Sequence, residues 1–398
     1  MFTRKSWALV GIVTTFLPLC VRSAAAQTSV ESNSVQLGPL VVAPTVSLAT
    51  ADDTNVFNEA VNPKQDVITV LTPRIASSMR IGSVLATATT VVPCTSFARF
   101  ENQGGFGIDQ AARASLLLGG LTPYIDAGYQ NLRQRQNLEI DARIRQMQSS
   151  VTAGIAVRLM PHLTLDVAAK RRAVGYANDA VFAGVNLNEE LSERVESLNA
   201  TLSRSITPAS DILMSFEARH DRFDVAGLRD ADSQRVMVGL QSRTLLNGHA
   251  SIGYRKFTPL DREVPEFKGL VASAAIEYPF LSATHVMLDV DRDVTYSYQQ
   301  LQPYYIATTV GVSVGQTLPF ELVAHGRAAW LRSDYRTLST TLTLPQADSG
   351  AVYSVGVDRR LDRHVSVGGS FESYSRQTQD AALGHEGRRV GISVAYGF

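Results

Sequence analysis

Charged side chains recur in this sequence at every second position of otherwise apolar stretches, and that spacing limits the chemistry open to them. Asp289, Asp291 and Asp293 share one face of such a stretch. Three carboxylates in a row can hold a hard divalent cation through oxygen. The expected arrangement is instead pairing with arginines on neighbouring strands. The same polar faces carry the bases Arg158, Lys170, Arg172, Arg219, Arg235, Arg243, Arg255, Arg327, Arg360 and Arg389. They also carry the acids Asp166, Glu217, Glu277, Asp289, Asp291, Glu321, Asp358 and Glu372. This near balance gives no strong ion preference. Arg359-Arg360 and Arg388-Arg389 are doublets suited to phosphate, because the guanidinium fork binds two oxygens at once.

Hydrolytic or acyl-transfer chemistry needs a nucleophile, a histidine base and an orienting partner. The histidines are His162, His220, His249, His285, His325, His364 and His385. Ser215 and His220 lie five residues apart, which puts them on opposite faces of a strand. H-E-x-x-H and P-loop motifs are absent from the sequence. The expectation is a protein that is not an enzyme and uses no cofactor or metal. A catalytic group assembled from distant segments stays open, since triads are recognised by geometry rather than order.

The elements that position these residues follow from the same period of two. From Arg389 to Phe398, Val390, Ile392, Val394, Tyr396 and Phe398 alternate without exception with Arg389, Gly391, Ser393, Ala395 and Gly397. Only a strand sends successive side chains to opposite faces. Residues 151–159, 163–170, 270–280, 286–291 and 365–372 repeat the pattern. Short turn signals fall at Ser77-Ser78, Gly119-Gly120, Met160-Pro161-His162, Thr207-Pro208-Ala209, Asn247-Gly248, Pro279-Phe280-Leu281, Leu318-Pro319 and Leu361-Asp362-Arg363. Longer polar connections occupy 177–194, 221–234, 257–268, 336–350 and 377–388. These turns pair sixteen strands, and one more at each end predicts about eighteen. Short turns at one end and long loops at the other describe an antiparallel up-and-down transmembrane β-barrel. Tyr124, Tyr129, Tyr254, Phe257, Tyr296, Tyr298, Trp330 and Tyr335 are candidates for its interfacial girdles.

Composition narrows the classes further. The 398 residues carry 37 Lys+Arg against 37 Asp+Glu, a balance that argues against a nucleic-acid partner. The single strongly apolar run, Trp7–Val21, follows Arg4 and Lys5 and precedes Ser23-Ala24-Ala25-Ala26. That is the layout of a secretory signal peptide, and the run is too short to span a membrane. The expected organisation is a signal peptide over 1–26 and one barrel domain over 27–398. Cleavage would remove Arg4, Lys5 and Arg22, leaving 34 bases against 37 acids and a formal charge of −3. It would also remove Cys20 and leave Cys94 as a small apolar side chain without a disulfide partner.

Two resemblances add to this reading. The terminal strand Val390, Ile392, Val394, Tyr396, Phe398 resembles the signal read by the outer-membrane barrel assembly machinery. It implies a Gram-negative-type outer membrane, with lipid and lipopolysaccharide as surroundings. Near the mature N-terminus, Leu37–Pro44 is followed by Asp53-Thr54-Asn55-Val56-Phe57-Asn58. A first strand ending in D-T-N-V-F-N resembles the putative β-barrel porin 2 family. Members often accompany exopolysaccharide synthesis and export genes, so the resemblance implies passage of polysaccharide or another hydrophilic solute, with polysaccharide export components as partners. A barrel of 16–18 strands is wide enough for an aqueous channel. The alternative is a non-conducting structural or surface-interaction barrel whose opposite charges pair across the lumen.

Overall fold

The alternating segments fold into eighteen antiparallel strands, each paired with the next in chain order. A computed structural model describes residues 34–281, 283–338, 347–378 and 380–398. The proposed signal segment lies outside these residues. The first strands are β1 (Leu40–Asp53), β2 (Asp66–Ile81), β3 (Val84–Val91, resuming at Cys94–Phe97), β4 (Ile108–Leu116), β5 (Leu121–Arg135) and β6 (Arg143–Met160). They continue as β7 (Leu163–Tyr176), β8 (Glu193–Thr207), β9 (Ser210–Phe223), β10 (Ala231–Arg243), β11 (Asn247–Pro259) and β12 (Phe267–Leu281). The last six are β13 (Thr284–Tyr296), β14 (Tyr304–Leu318), β15 (Leu322–Arg336), β16 (Ala347–Arg360), β17 (Val365–Gln377) and β18 (His385–Gly397). β1 pairs with β18 from Thr45↔Gly397 to Asp53↔Arg389, which closes the sheet into a barrel.

Period two sets the two faces as expected. On β18, Val390 and Ile392 point outward, 58% and 68% exposed, while Arg389 points inward to Asp53. A spanning strand needs ~9–11 residues. Most strands here have 13–18, so the wall extends past the lipid at the loop end. This shortens the connections that the sequence placed at 177–194, 221–234, 257–268 and 377–388 to 177–192, 224–230, 260–266 and 378–384. The tight turns lie at or within a few residues of their expected positions, with one exception. β2 runs straight through Ser77-Ser78 and turns at Gly82, whose φ of +56° suits glycine.

The core of this barrel gathers at its loop end. Ile140 from loop 136–142, Leu187 and Leu191 of the short helix α1 (Leu187–Leu191), Phe223 and Tyr298 form one buried apolar cluster. A second cluster reveals a break in the wall. The ladder between β12 and β13 ends at Ala272↔Arg292, although Phe267–Val271 remain paired with β11. Beyond that point the outer ends of β13 and β14 pack against the lining, with Val294, Tyr304 and Ile306 against Phe257, Phe267 and Val271. Burying a side chain such as Ile306 or Leu187 stabilises by ~1.5–3 kcal/mol each.

This packing corrects the girdle assignment. Tyr129, Tyr254 and Trp330 are exposed on the outer face. Phe257, Tyr298 and Tyr335 are buried inside, Tyr296 joins the interior clusters, and Tyr124 donates to Asp166. Apolar alternation is the same whether a strand meets lipid or a packed interior, so the sequence pattern alone could not separate them.

Candidate functional site

The inward faces bring most of the predicted lining charges into pairs along the wall. Arg172 on β7 meets Glu193 on β8 at 2.7 Å, and Arg219 meets Asp221 on β9 at 2.6 Å. Arg255 on β11 reaches Asp293 on β13 at 2.8 Å, Arg235 reaches the same carboxylate at 3.1 Å, and Arg235 also holds Glu217. Arg327 donates to Asp289 at 2.9 Å. Gly311 makes room for that pair, since a Cβ there would lie 2.5 Å from the Asp289 carboxylate. Arg389 joins Glu372 at 2.6 Å and Asp53 at 2.9 Å. Asp358 faces His325 at 3.3 Å, and Arg243 pairs with Asp211 at 3.1 Å. Partners sit on the same strand or on strands no more than three apart, so these pairs lie flat against the wall instead of crossing the bore.

Other predicted residues stand apart from this network. Lys170 sits near Asp126, Arg172, Glu217 and Arg219 without a close ion pair. Glu277 meets His285 at 3.3 Å with both half-exposed at the short-turn rim. Arg158 is exposed beside the 119–120 turn, and its amide donates to Gly120. Glu321 belongs to the 319–321 turn, with φ +59°, rather than to the wall, and its carbonyl accepts from the Arg360 amide. Of the three alternating aspartates, Asp289 and Asp293 are held by arginines. Asp291 is exposed in the bore and makes neither a hydrogen bond nor an ion pair among the described residues. No cluster of three or more His, Cys, Asp or Glu with metal-binding geometry occurs among the described residues.

The D-T-N-V-F-N segment sits at the seam where the barrel closes. Asp53 is fully buried and accepts from the Tyr374 hydroxyl at 2.7 Å as well as from Arg389. Thr54 exchanges hydrogen bonds with Arg388, and the Asn55 side chain donates to the carbonyls of Glu59 and Glu386. Val56 packs on Ile68 and Phe97, and Phe57 meets Phe100 edge-on at 4.8 Å. Asn58 adopts φ +57° and donates to the Asp141 carbonyl.

Sequence patterning missed an element that enters the bore. Loop 136–142 leaves β5 and crosses the interior to the opposite wall. Arg376 on β17 donates to the Glu139 carbonyl at 2.9 Å, and His385 on β18 meets Asp141 at 2.8 Å. Ser297 of loop 297–303 donates to the Glu139 carboxyl at 2.6 Å. Arg135 anchors the near side by donating to the carbonyls of Asn55 and Val56. Glu139 is fully buried, and burial pushes its carboxyl up to about 8. The available signal was Leu138 and Ile140, two apolar residues set among Gln136, Asn137, Glu139 and Asp141 in a short connection.

Beneath this loop the bore retains a cavity of about 200 Å³, lined by Gln146, Gln148, Tyr176, Asp291 and Thr309 among others. Below it, small residues such as Ser215, Gly239, Ser251, Ser370, Gly391 and Ser393 alternate on the inward positions down to the short turns. The arrangement is a polar-lined tube whose loop end is filled by its own chain.

The profile of the putative β-barrel porin 2 family matches residues 105–398. This chain belongs to that family. The matched span begins after the D-T-N-V-F-N segment, so membership rests on the barrel itself. Solved structures agree on the fold. Acinetobacter baumannii OccAB3 is 9% identical with a TM-score of 0.50, covering 90% of this chain and 99% of its own. Pseudomonas aeruginosa OpdK, solved with vanillate, is 10% identical with a TM-score of 0.50, covering 90% and 98%. Pseudomonas aeruginosa OccK9 (OpdG) gives 10%, 0.50, 90% and 98%. No curated relative matches the sequence. This porin-family barrel belongs to the Gram-negative outer membrane, with its short turns toward the periplasm and its long loops outside. Its family and fold are those of a channel rather than an enzyme.

Proposed function

We propose that this porin is a gated channel for hydrophilic saccharide-like solutes, held shut at rest by loop 136–142. The observation that carries the reading is that one short loop, held by Arg376, Ser297 and His385, separates a polar bore from the outside. Charge pairs lying along the wall leave the lower bore free, so moving this loop opens a continuous path. Saccharide passage, including export of a polysaccharide made in the cell, rests on the hydroxyl and amide lining and on the balanced charge. A long chain would need the outer ends of β13 and β14 to move as well.

The test is single-channel conductance of the refolded mature chain in planar bilayers. Replacing 136–142 by a tight turn is expected to convert brief, small openings into long steps of higher conductance, interrupted by added oligosaccharide. The three apolar clusters at the loop end favour a second reading, a non-conducting structural barrel. Silence from both proteins, with folding verified by heat-modifiable gel migration, would establish that second reading.

A further inference from the structure

The charges around the cavity beneath loop 136–142 differ in how far they are satisfied. The cations on its lining are committed, Arg172 to Glu193, Arg219 to Asp221, and Arg332 to Asp334 at 2.7 Å on the outer face. The further cations acting on Asp291, Arg235 and Arg255, are held by Glu217 and Asp293, and Lys170 lies away from Asp291 beside Arg172, Arg219, Glu217 and Asp126. Asp291, between Ser273 and Thr309 in register, keeps an exposed carboxylate without a hydrogen bond or ion pair among the described residues. Within the Arg172–Glu193 pair, Arg172 Nε and Glu193 Oε2 are both buried without a hydrogen-bond partner among the described residues, one donor against one acceptor. Asp291 is therefore the carboxylate on this lining that no cation holds among the described residues.

The rest of the lining fits a polyhydroxylated ring. Gln146, Gln148 and Thr309 offer amide and hydroxyl groups that both donate and accept. Tyr176 and Phe223 offer apolar faces to ring carbons. The volume is below the ~300–1,000 Å³ typical of pockets for drug-sized ligands, which suits a single small molecule.

We propose that this cavity is a binding site for an amino sugar or a close chemical equivalent, a polyol carrying one protonated amine. The ammonium sits on Asp291, and the hydroxyls are read by Gln146, Gln148 and Thr309. The proposal rests on the channel reading and deepens it, because the cavity lies on the path that loop 136–142 closes.

Titration calorimetry of the refolded mature chain at pH 6.5 with glucosamine, glucose and glucuronate tests it. Glucosamine is expected to bind at least about tenfold more tightly than glucose, the scale of one charge-assisted hydrogen bond, with glucuronate weakest. Asp291→Asn should erase the preference while leaving the thermal midpoint unchanged, and Asp291→Glu should retain it. Equal binding of glucosamine and glucose, preference for glucuronate, absence of binding, or an unaffected Asp291→Asn variant would each overturn the proposal. Conductance of the same preparation separates the two claims. Open protein without glucosamine binding removes only the site, whereas protein that stays silent after loop shortening removes the channel.

Discussion

Two buried carboxyls at the loop end of this molecule act with opposite chemistry. Glu139 faces Ser297, Gln299, Arg376, Asp348 and Tyr298, and burial raises its carboxyl from an ordinary 4.5 to about 8. The docked loop therefore keeps a proton that a released loop gives up between these values. Docking is fully favoured below pH 4.5, weakens as pH rises through the window, and loses no more above about 8. Open probability should climb from pH 5 to 9 in bilayer recordings, and Glu139→Gln should flatten that profile with the loop held shut. Asp53 is buried and fully paired instead. Asp53→Asn leaves Arg389 buried with a poorer partner and should cost about 3–5 kcal/mol in urea unfolding. Asp52→Asn, one residue away and bonded only to Gln65 at the surface, should stay within about 0.5 kcal/mol. Alternation alone placed Asp289, Asp291 and Asp293 on the inner face. It could not reveal that Asp291 would lack a partner, because pairing depends on which strands become neighbours.

At the scale of elements, strand identity was legible and the fate of strand ends was not. The regular turns at 119–120, 160–162 and 207–209 count strands directly, and the eighteen-strand barrel follows from them. Ser77-Ser78 misled because hydroxyl residues are common in turns yet fit equally well inside a strand, and only the left-handed Gly82 fixes the real one. The inward packing of the outer ends of β13 and β14 left no trace in the pattern, since Val294, Tyr304 and Ile306 look like lipid-facing residues. The terminal strand is the clearest case of pattern and placement agreeing, with Val390, Ile392, Val394, Tyr396 and Phe398 all outward and exposed. If this face is what the assembly machinery reads, Phe398→Ala should reduce insertion several-fold in a reconstituted assembly assay while leaving detergent refolding intact. Unchanged insertion would remove the terminal-signal reading.

As a whole the molecule is a cup, with a polar interior open toward the periplasm and a packed lid outside. Its fold and compartment were readable because a bilayer leaves few ways to satisfy a backbone: eighteen alternating strands admit a closed barrel and little else. The site was only half readable. The wall charges were named in advance, whereas the lid that defines the cavity comes from a seven-residue connection too short to attract attention. Membership of the porin family and the folds of OccAB3 and OpdK fit this picture at the level of the barrel.

The placement of the three apolar clusters at the loop end has a consequence for biogenesis. A water-soluble domain gathers its core early and in one compartment. Here Ile140, Leu187 and Tyr298 meet in one cluster and Val56 packs in another, and all of them belong to segments that must travel across the bilayer first. The stopper can therefore form only on the far side, from parts that arrive separately. For this porin, sealing waits on the delivery of its own connections to the outside.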